Sequence, residues 1–260
     1  MRLALVSDVH ANLPALSAVR DALEHERVDG CLCAGDLVGY GPSPDECVAL
    51  VERLGWTCVT GNHDLIAVGA LSADRCAELA RTTLEWTRAT ISDRTAAALR
   101  ALPATAAAGT VLVTHGALGD PERYVTGDED AAEQLGALGR DHPDARVLVL
   151  GHTHRGFAYA EGVGALLRDR SGPVELPAEG RVLLNPGSVG QTRWGPPLAR
   201  YALLDTDAGR AEFRAVEYDT RAVRRALRRA GLPANAYAPG RRGALPNVVS
   251  RLRRRLEVRQ

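Results

Sequence analysis

The stretch Leu3-Ala-Leu-Val-Ser-Asp-Val-His-Ala-Asn12 decides how this chain folds, because an apolar run passes directly into two ligand-type side chains. The run is short and uninterrupted, as in a strand buried on both faces. Asp8 and His10 follow where the strand ends, two residues apart, so they project to the same side. An acid and an imidazole placed in this way are compatible with a metal site but do not define one.

Four later stretches repeat this arrangement, each with a ligand-type side chain directly after an apolar run. They are Ala34-Gly-Asp36, Gly61-Asn-His-Asp64, Thr114-His-Gly116 and Gly151-His-Thr-His154. Side chains that follow the strands of an open parallel sheet meet at its carboxyl edge. The residues expected there are Asp8, His10, Asp36, Asn62, His115, His152 and His154. So many ligands exceed the needs of one hydrated ion and suit two ions about 3.5–4 Å apart that share a carboxylate.

The ligand types narrow the choice of metal. The set contains no thiolate, which argues against a structural zinc site. Imidazoles mixed with carboxylates favour Mn²⁺, with Fe, Zn²⁺ or Ni²⁺ as alternatives, over Ca²⁺ or Mg²⁺. Each motif alone has an ordinary explanation, and a single buried histidine such as His115 usually belongs to a core. Five motifs in this order favour a metal centre.

Composition and charge limit the class of protein to which this chain can belong. The chain has 260 residues, 45 % of them apolar, and 32 basic residues balance 32 acidic ones; all the basic residues are arginine. Five cysteines, an odd number, argue against a disulfide framework and are predicted to be buried. We find no basic leader followed by an apolar stretch and no apolar run near the ~20 residues of a membrane helix. We therefore expect a soluble, cytoplasmic protein.

The order of predicted elements indicates an α/β fold of two mixed sheets packed face to face and flanked by helices. Strands and helices alternate up to residue 60, and residues 65–101 read as a helical insertion that could roof a cleft or form a dimer surface. Strands dominate again after residue 155. The predicted strands are 2–7, 30–34, 56–60, 111–114, 146–150, 157–161, 165–168, 181–185, 198–205 and 211–217, and the predicted helices are 13–26, 44–54, 73–90, 92–102, 129–138, 219–230 and 248–256.

The five motifs resemble those of the calcineurin-like metallophosphoesterases. Two further stretches, Gly35-Asp-Leu-Val-Gly-Tyr-Gly-Pro42 and Asn185-Pro-Gly-Ser-Val-Gly-Gln191, resemble the compact bacterial and archaeal members of that family. The resemblance implies a four-layer β-sandwich flanked by helices. It places Asp36 between two ions as a bridge. The first ion would take Asp8, His10, Asp36 and His154, and the second would take Asp36, Asn62, His115 and His152.

The resemblance also implies roles around the metals. His63 would contact the substrate and protonate the leaving group, although a merely polar role is the alternative, and Asp64 would orient its imidazole. Asn12 could reach the phosphate or simply cap the first helix. Tyr40 could form a wall of the cleft. Arg193 could clamp a phosphate or lie in a solvated turn, and related sequences often read Gln-Pro-Arg where this chain has Gln191-Thr-Arg193.

These features predict a dinuclear hydrolase of phosphate esters, a phosphodiesterase or phosphatase that uses in-line attack by a metal-bridging hydroxide. A small or nucleotide-like ester is the expected substrate, and the oligomeric state is left open. One alternative is a non-catalytic metal-binding scaffold of the same fold. Another is a nucleic-acid-binding module that uses the arginine-rich residues 219–260, which we separate from a catalytic domain at residues 1–218; a solvated face is the favoured explanation for these arginines.

Overall fold

Two six-stranded sheets form the centre of the fold in the computed structural model, which describes residues 1–193 and 195–238. The strands are β1 (Arg2–Val6), β2 (Gly30–Cys33), β3 (Thr57–Cys58), β4 (Ala106–Ala108), β5 (Val111–Val113), β6 (Val147–Val149), β7 (Gly156–Ala160), β8 (Gly164–Arg168), β9 (Gly172–Glu175), β10 (Val182–Pro186), β11 (Ala199–Asp205) and β12 (Arg210–Val216). The first sheet has the order β3-β2-β1-β11-β12-β9, and the second has β4-β5-β6-β10-β7-β8.

Both sheets are mixed, and their parallel parts carry the motifs. In the first sheet β1, β2 and β3 are parallel, and in the second β5, β6 and β10 are parallel. The remaining pairs are antiparallel. The predicted ligands that follow β1, β2, β3, β5 and β6 therefore leave the sheets at their carboxyl edges.

The apolar runs are continuous because both faces of the central strands are covered. In β1, Leu3 and Leu5 point into the core between the sheets, whereas Ala4 and Val6 point into the core under the helices. This alternation follows from the two-residue period of a strand. A third core lies on the outer face of the second sheet. The predicted fold of two sheets flanked by helices is confirmed.

Seven helices are present in the described residues. They are α1 (Leu13–Glu24), α2 (Pro44–Arg53), α3 (Asn62–Ala67), α4 (Glu78–Thr90), α5 (Asp93–Ala101), α6 (Asp128–Asp141) and α7 (Thr220–Arg229). The sequence prediction missed α3, β4 and β9, and it started α4 five residues early. These elements are short, and α3 lies in a ligand motif whose polar residues hide the helical period.

The helical insertion belongs to the layer over the first sheet. Leu84 of α4 and Leu99 of α5 are each 1 % exposed and lie in the same core as Val6 and Leu16. Helix α5 contacts both α2 and α3. Whether this layer also roofs a substrate cleft or forms a dimer surface stays a prediction.

The described part of the C-terminal segment packs on the domain through α7. Asp219 caps this helix by accepting a hydrogen bond from the Ala222 backbone N–H. Val223 and Leu227 are fully buried against Tyr40 and Tyr237, and the helix arginines are exposed, as expected for a solvated face: Arg221, Arg224, Arg225, Arg228 and Arg229. The predicted helix 248–256 and the later arginines lie outside the described residues, and the division at residue 218 stays a prediction.

Among the described residues, no helix has the length and apolar character needed to cross a membrane.

The burial of the cysteines makes a prediction about thiol chemistry. Cys31, Cys33, Cys47 and Cys58 are buried, and Cys76 is partly exposed. Burial raises the pKa of Cys31 and Cys47 well above its ordinary value, and thiolate is the reactive form. We expect the native chain to titrate with Ellman's reagent at one thiol, and at all five after denaturation. Native Cys76→Ser should give none; rapid reaction of a second thiol would contradict the packing.

Candidate metal centre

The predicted ligands converge at one edge of the sandwich. Asp8, His10 and His154 form one group that could hold a metal ion, and Asp36, His115 and His152 form another. Within each group the ligand atoms lie within 4.8 Å of one another. All seven predicted ligands are at most 5 % exposed. The sequence prediction that these distant motifs come together is thus matched by the structure.

The backbone turns sharply at most of these residues. Asp8, His10, Asp36, His152 and His154 have φ angles between 48° and 63°, in the left-handed region that residues with a Cβ rarely occupy. Hydrogen bonds between neighbouring turns hold this geometry: Asp8 N–H donates to Gly35 O (3.0 Å) and His10 N–H to Asp36 O (2.9 Å). Such conformations typically cluster at functional sites.

Two glycines occupy positions at which any side chain would clash with the site. A Cβ on Gly61 would lie 2.1 Å from Asp36 Oδ1, and a Cβ on Gly39 would lie 2.3 Å from His63 Nδ1. Neither distance is compatible with an ordinary contact. The glycine that opens the Gly61-Asn-His-Asp64 motif therefore lets α3 begin directly against the Asp36 carboxylate.

His10 and His154 face each other through two nitrogen atoms that can only accept a hydrogen bond. Their Nδ1 atoms lie 3.1 Å from Val38 O and 2.8 Å from Gln191 O, and a carbonyl oxygen only accepts, so each Nδ1 carries the proton. Both Nε2 atoms then present lone pairs, 3.0 Å apart. Burial lowers the pKa of both imidazoles well below the ordinary value, which favours these neutral forms. A cation that accepts both lone pairs would satisfy them.

The second group also brings ligand-type atoms together. His115 Nδ1 donates to Ala34 O (2.6 Å), which leaves its Nε2 facing Asn62 Oδ1 (3.1 Å) and Asp36 Oδ2 (3.3 Å). His152 Nε2 lies 3.1 Å from Glu122 O, so its Nδ1 is the nitrogen left for a ligand. Fixing one ring nitrogen by a carbonyl is the usual way in which proteins orient a metal-binding imidazole.

The charges complete the fit to divalent cations. The Oδ2 atom of Asp8 is buried without a hydrogen-bond partner in residues 1–193 and 195–238, and burial raises the pKa of this carboxyl to about 7. Burial lowers the pKa of His115, but the adjacent Asp36 carboxylate outweighs it and raises that pKa to about 9. Cations placed among these donors would favour the ionised Asp8 and the neutral His115, the forms in which both residues bind metals.

His63 lies among the potential metal ligands, since its ligand atom is within 4.8 Å of those of His10 and Asp36. Its ring centroid is 4.8 Å from those of His10 and Tyr40, and its backbone N–H donates to Asp36 Oδ1 (2.9 Å). Its Nδ1 is buried and has no hydrogen-bond partner among the residues that the structure describes, and burial lowers the pKa of the imidazole to about 4. The imidazole is therefore a neutral group with a free nitrogen at the site.

Asp64 does not orient His63, contrary to the sequence prediction. Its Oδ1 accepts from the backbone N–H of Val38 (3.1 Å), and its Oδ2 accepts from that of Gly61 (2.9 Å). Adjacent residues of a helix project about 100° apart, which separates the two side chains. Asp64 instead caps α3 and ties it to the loop after Asp36.

The three residues predicted to bind substrate have different surroundings. Asn12 is fully buried, and its amide caps α1 at Ala15 N–H (3.2 Å) and donates to Gly190 O (2.7 Å), which supports the capping alternative. Tyr40 packs its ring 4.8 Å from those of His10 and His63. Arg193 is partly buried beside the cluster. Burial is the main cause that lowers the pKa of His154, and the positive charge of Arg193 lowers it further.

Sequence reasoning assigned no role to two residues at the site. Tyr124 is 46 % exposed, stacks 3.9 Å from the His152 ring and accepts a hydrogen bond from Arg193 Nη1 (3.3 Å). Gln191 accepts from His154 through its carbonyl, and its side chain donates to Ala236 O (2.6 Å). Two features of the sequence could have identified them. Tyr124 is an aromatic residue in a polar loop, and Gln191 is a polar residue at the end of the Asn185–Gln191 stretch.

Comparison with known proteins agrees with this fold. The sequence profile of the calcineurin-like phosphoesterase superfamily domain matches residues 1–209. A metallophosphoesterase from Sphaerobacter thermophilus is 36 % identical, with a TM-score of 0.78 over 91 % of this chain and 96 % of that one. An uncharacterized protein from Methanocaldococcus jannaschii is 31 % identical over 222 residues, 84 % of this chain and 88 % of that protein. A hypothetical protein from Pyrococcus horikoshii, 18 % identical with a TM-score of 0.74 over 93 % and 99 % of the two chains, shares the fold.

The fold and the histidine–carboxylate cluster define a metallophosphoesterase-type protein. The chain belongs to the calcineurin-like phosphoesterase superfamily. Membership, together with the Sphaerobacter relative, supports a metal-dependent hydrolase of phosphoesters.

The contacts of Asp64 predict its effect on stability. Asp64→Ala leaves the buried N–H groups of Val38 and Gly61 without acceptors, each at a cost of about 1–3 kcal/mol. We expect the free energy of unfolding, from urea titrations in chelator, to fall by about 2–6 kcal/mol. Asp64→Asn keeps one acceptor oxygen and should lose roughly half as much. An equal loss in both variants would argue against this pair of hydrogen bonds.

Proposed function

We propose that this protein is a dinuclear hydrolase of phosphate esters that acts as a phosphodiesterase or phosphatase. The observation that carries the proposal is the pair of Nε2 lone pairs of His10 and His154, 3.0 Å apart, next to the buried carboxylate of Asp8, whose Oδ2 has no hydrogen-bond partner among the described residues. We assign Asp8, His10, Asp36 and His154 to a first ion and Asp36, Asn62, His115 and His152 to a second. Mn²⁺ is the proposed metal, with Fe, Zn²⁺ or Ni²⁺ as alternatives.

Bound divalent ions supply a nucleophile by acidifying water, and they neutralise charge on the phosphate oxygens. The backbone of the protein holds the metal-ligand side chains in place before a substrate arrives. Carbonyl oxygens of Val38, Gln191 and Ala34 fix the rings of His10, His154 and His115. The buried surroundings lower the local dielectric and strengthen each of these electrostatic contacts.

Arg193 is the proposed contact for the phosphate. Its guanidinium is held by two long hydrogen bonds, from Nε to Gln191 Oε1 and from Nη1 to Tyr124 OH, both 3.3 Å. Burial has the largest effect on the pKa values of Asp8, His63 and His152, and the positive charge of Arg193 acts to lower all three. The guanidinium is therefore close enough to these side chains to influence their charge. A planar guanidinium beside bound cations is stabilised by an anion between them, and its fork matches two phosphate oxygens.

His63 is the proposed general acid for the leaving group. A bound phosphate adds negative charge beside the ring, and this favours the protonated imidazole over the neutral form. The free Nδ1 is then available as a donor. Tyr40 packs beside His63 and would form one wall of the substrate cleft, whereas Asp64 acts on this site only through the backbone.

The substrate class proposed is a small or nucleotide-like phosphate ester. Tyr124 supports it, since an exposed aromatic ring next to His152 offers a face on which a planar group could stack.

Hydrolysis of bis- and mono-p-nitrophenyl phosphate tests the proposal. With Mn²⁺ we expect release of p-nitrophenol from at least one ester, and the preferred ester sets the class. Chelator should abolish release, because the nucleophile depends on metal. Asp8→Ala should bind fewer ions per chain by mass spectrometry and lose at least ~100-fold in turnover. A wild-type chain that binds metal but hydrolyses neither ester would favour the scaffold alternative.

The role of His63 has a separate test. His63→Ala should retain the wild-type metal content, since His63 is not among the assigned ligands. Turnover should fall about 10²–10⁴-fold for an alkyl ester, whose leaving group needs a proton, and much less for p-nitrophenyl esters. His25→Ala, which removes an exposed histidine, is the matched control. Equal losses with both leaving groups would overturn the acid role.

A further inference from the structure

A second concave site lies behind the turn that carries His154. A cavity of about 220 Å³ opens between the loop after β8 and the segment that joins β10 to β11. Four arginines from separate parts of the chain line it, namely Arg155, Arg170, Arg200 and Arg214, and Pro186 and Phe213 add apolar surface. None of the four arginines belongs to the proposed metal centre or was singled out by the sequence.

The charges in this cavity are not balanced. Arg155 pairs with Asp169, and Arg214 pairs with Glu26 and Glu212. Arg170 and Arg200, by contrast, form no hydrogen bond or ion pair through their side chains with any residue in the ranges 1–193 and 195–238. The cavity therefore presents two guanidinium groups whose charge the described protein does not neutralise.

Arg200 is held in place although its guanidinium has no ion-pair or hydrogen-bond partner within the described part of the chain. It is partly buried, and its backbone N–H donates to Ser188 O (3.0 Å) within β11. Its stem lies over Gly187, where an added Cβ would be 3.2 Å from both Cβ and Cδ of Arg200. A positioned, partly desolvated cation is more favourable when an anion approaches it.

We propose that this cavity binds a phosphate group, either free or carried on a small organic molecule. Guanidinium forks match phosphate oxygens in geometry and charge, and the apolar surface of Pro186 and Phe213 can contact the organic part. Its volume lies below the about 300–1,000 Å³ of pockets for drug-sized ligands, which limits the ligand to a small one.

The site is separate from the metal centre but shares a wall with it. His154 lines the cavity, while its two ring nitrogens contact Gln191 O and His10 Nε2 on the metal side. The proposal does not depend on the proposed hydrolysis, because its four arginines include none of the assigned metal ligands. Binding here should survive removal of metal ions, and this property distinguishes the two sites.

Calorimetric titration of the full chain in excess chelator tests the site. Ribose 5-phosphate, inorganic phosphate and unphosphorylated ribose are the probes, at low ionic strength. We expect one phosphate-bearing ligand per chain and no binding of ribose. Tighter binding of ribose 5-phosphate than of inorganic phosphate would identify an organic phosphate as the ligand, and equal affinities would identify the free anion.

Arginine variants decide where the ligand binds. Arg200→Gln and Arg170→Gln should each weaken phosphate binding about 10- to 100-fold, the loss expected for one charged hydrogen-bonding group. Arg53→Gln, an exposed arginine on α2, should bind as the wild type does. If Arg200→Gln fails to fold, as judged by circular dichroism, the exposed Arg170→Gln carries the test. The absence of chelator-resistant binding, or unchanged affinity in the folded variants, would overturn the proposal.

Discussion

The Asp36 carboxylate is the constraint on which the site depends. It is 1 % exposed and accepts a hydrogen bond from His63 N–H, and its other oxygen lies 3.3 Å from His115 Nε2 and 3.7 Å from His10 Nε2. A buried carboxylate is costly unless positive charge or donors surround it. Burial acts to raise the pKa of Asp36, yet its neighbours, with the His115 imidazole foremost, hold it well below the ordinary value. The ionised group thus requires hydrogen-bond donors and positive charge as partners, which His63 N–H and His115 provide.

The fold supplies those partners by bringing the ends of two sheets to one edge. Ligand-type residues after β1, β2 and β3 come from the first sheet, and those after β5 and β6 come from the second. Left-handed backbone at Asp8, Asp36 and His152 bends each segment toward the shared edge. Glycine at position 61 then allows α3 to approach Asp36. These local conformations are stabilised by the packed sheets beneath them, since isolated turns would not retain them.

The C-terminal segment is linked to the site through one loop. Gln191 joins His154 to Ala236, and Thr192 N–H donates to Tyr237 O (3.2 Å). Arg193 follows directly in this loop. Residues 232–238 therefore brace the backbone that carries the proposed phosphate contact, so the segment beyond residue 218 contributes to the geometry of the site.

The sequence by itself determined the two-sheet fold and the set of residues that meets at its edge. Short uninterrupted apolar runs identify strands that are buried on both faces, and parallel strands place the residues after them together, whatever their separation in sequence. Only the tertiary structure decided which atoms those residues use. Asp64 bonds to Val38 N–H rather than to its neighbour His63, Tyr124 reaches His152, and four arginines from separate strands and loops line one cavity. These contacts join residues 26 or more positions apart or depend on side-chain direction, and neither local periodicity nor motif spacing records such information.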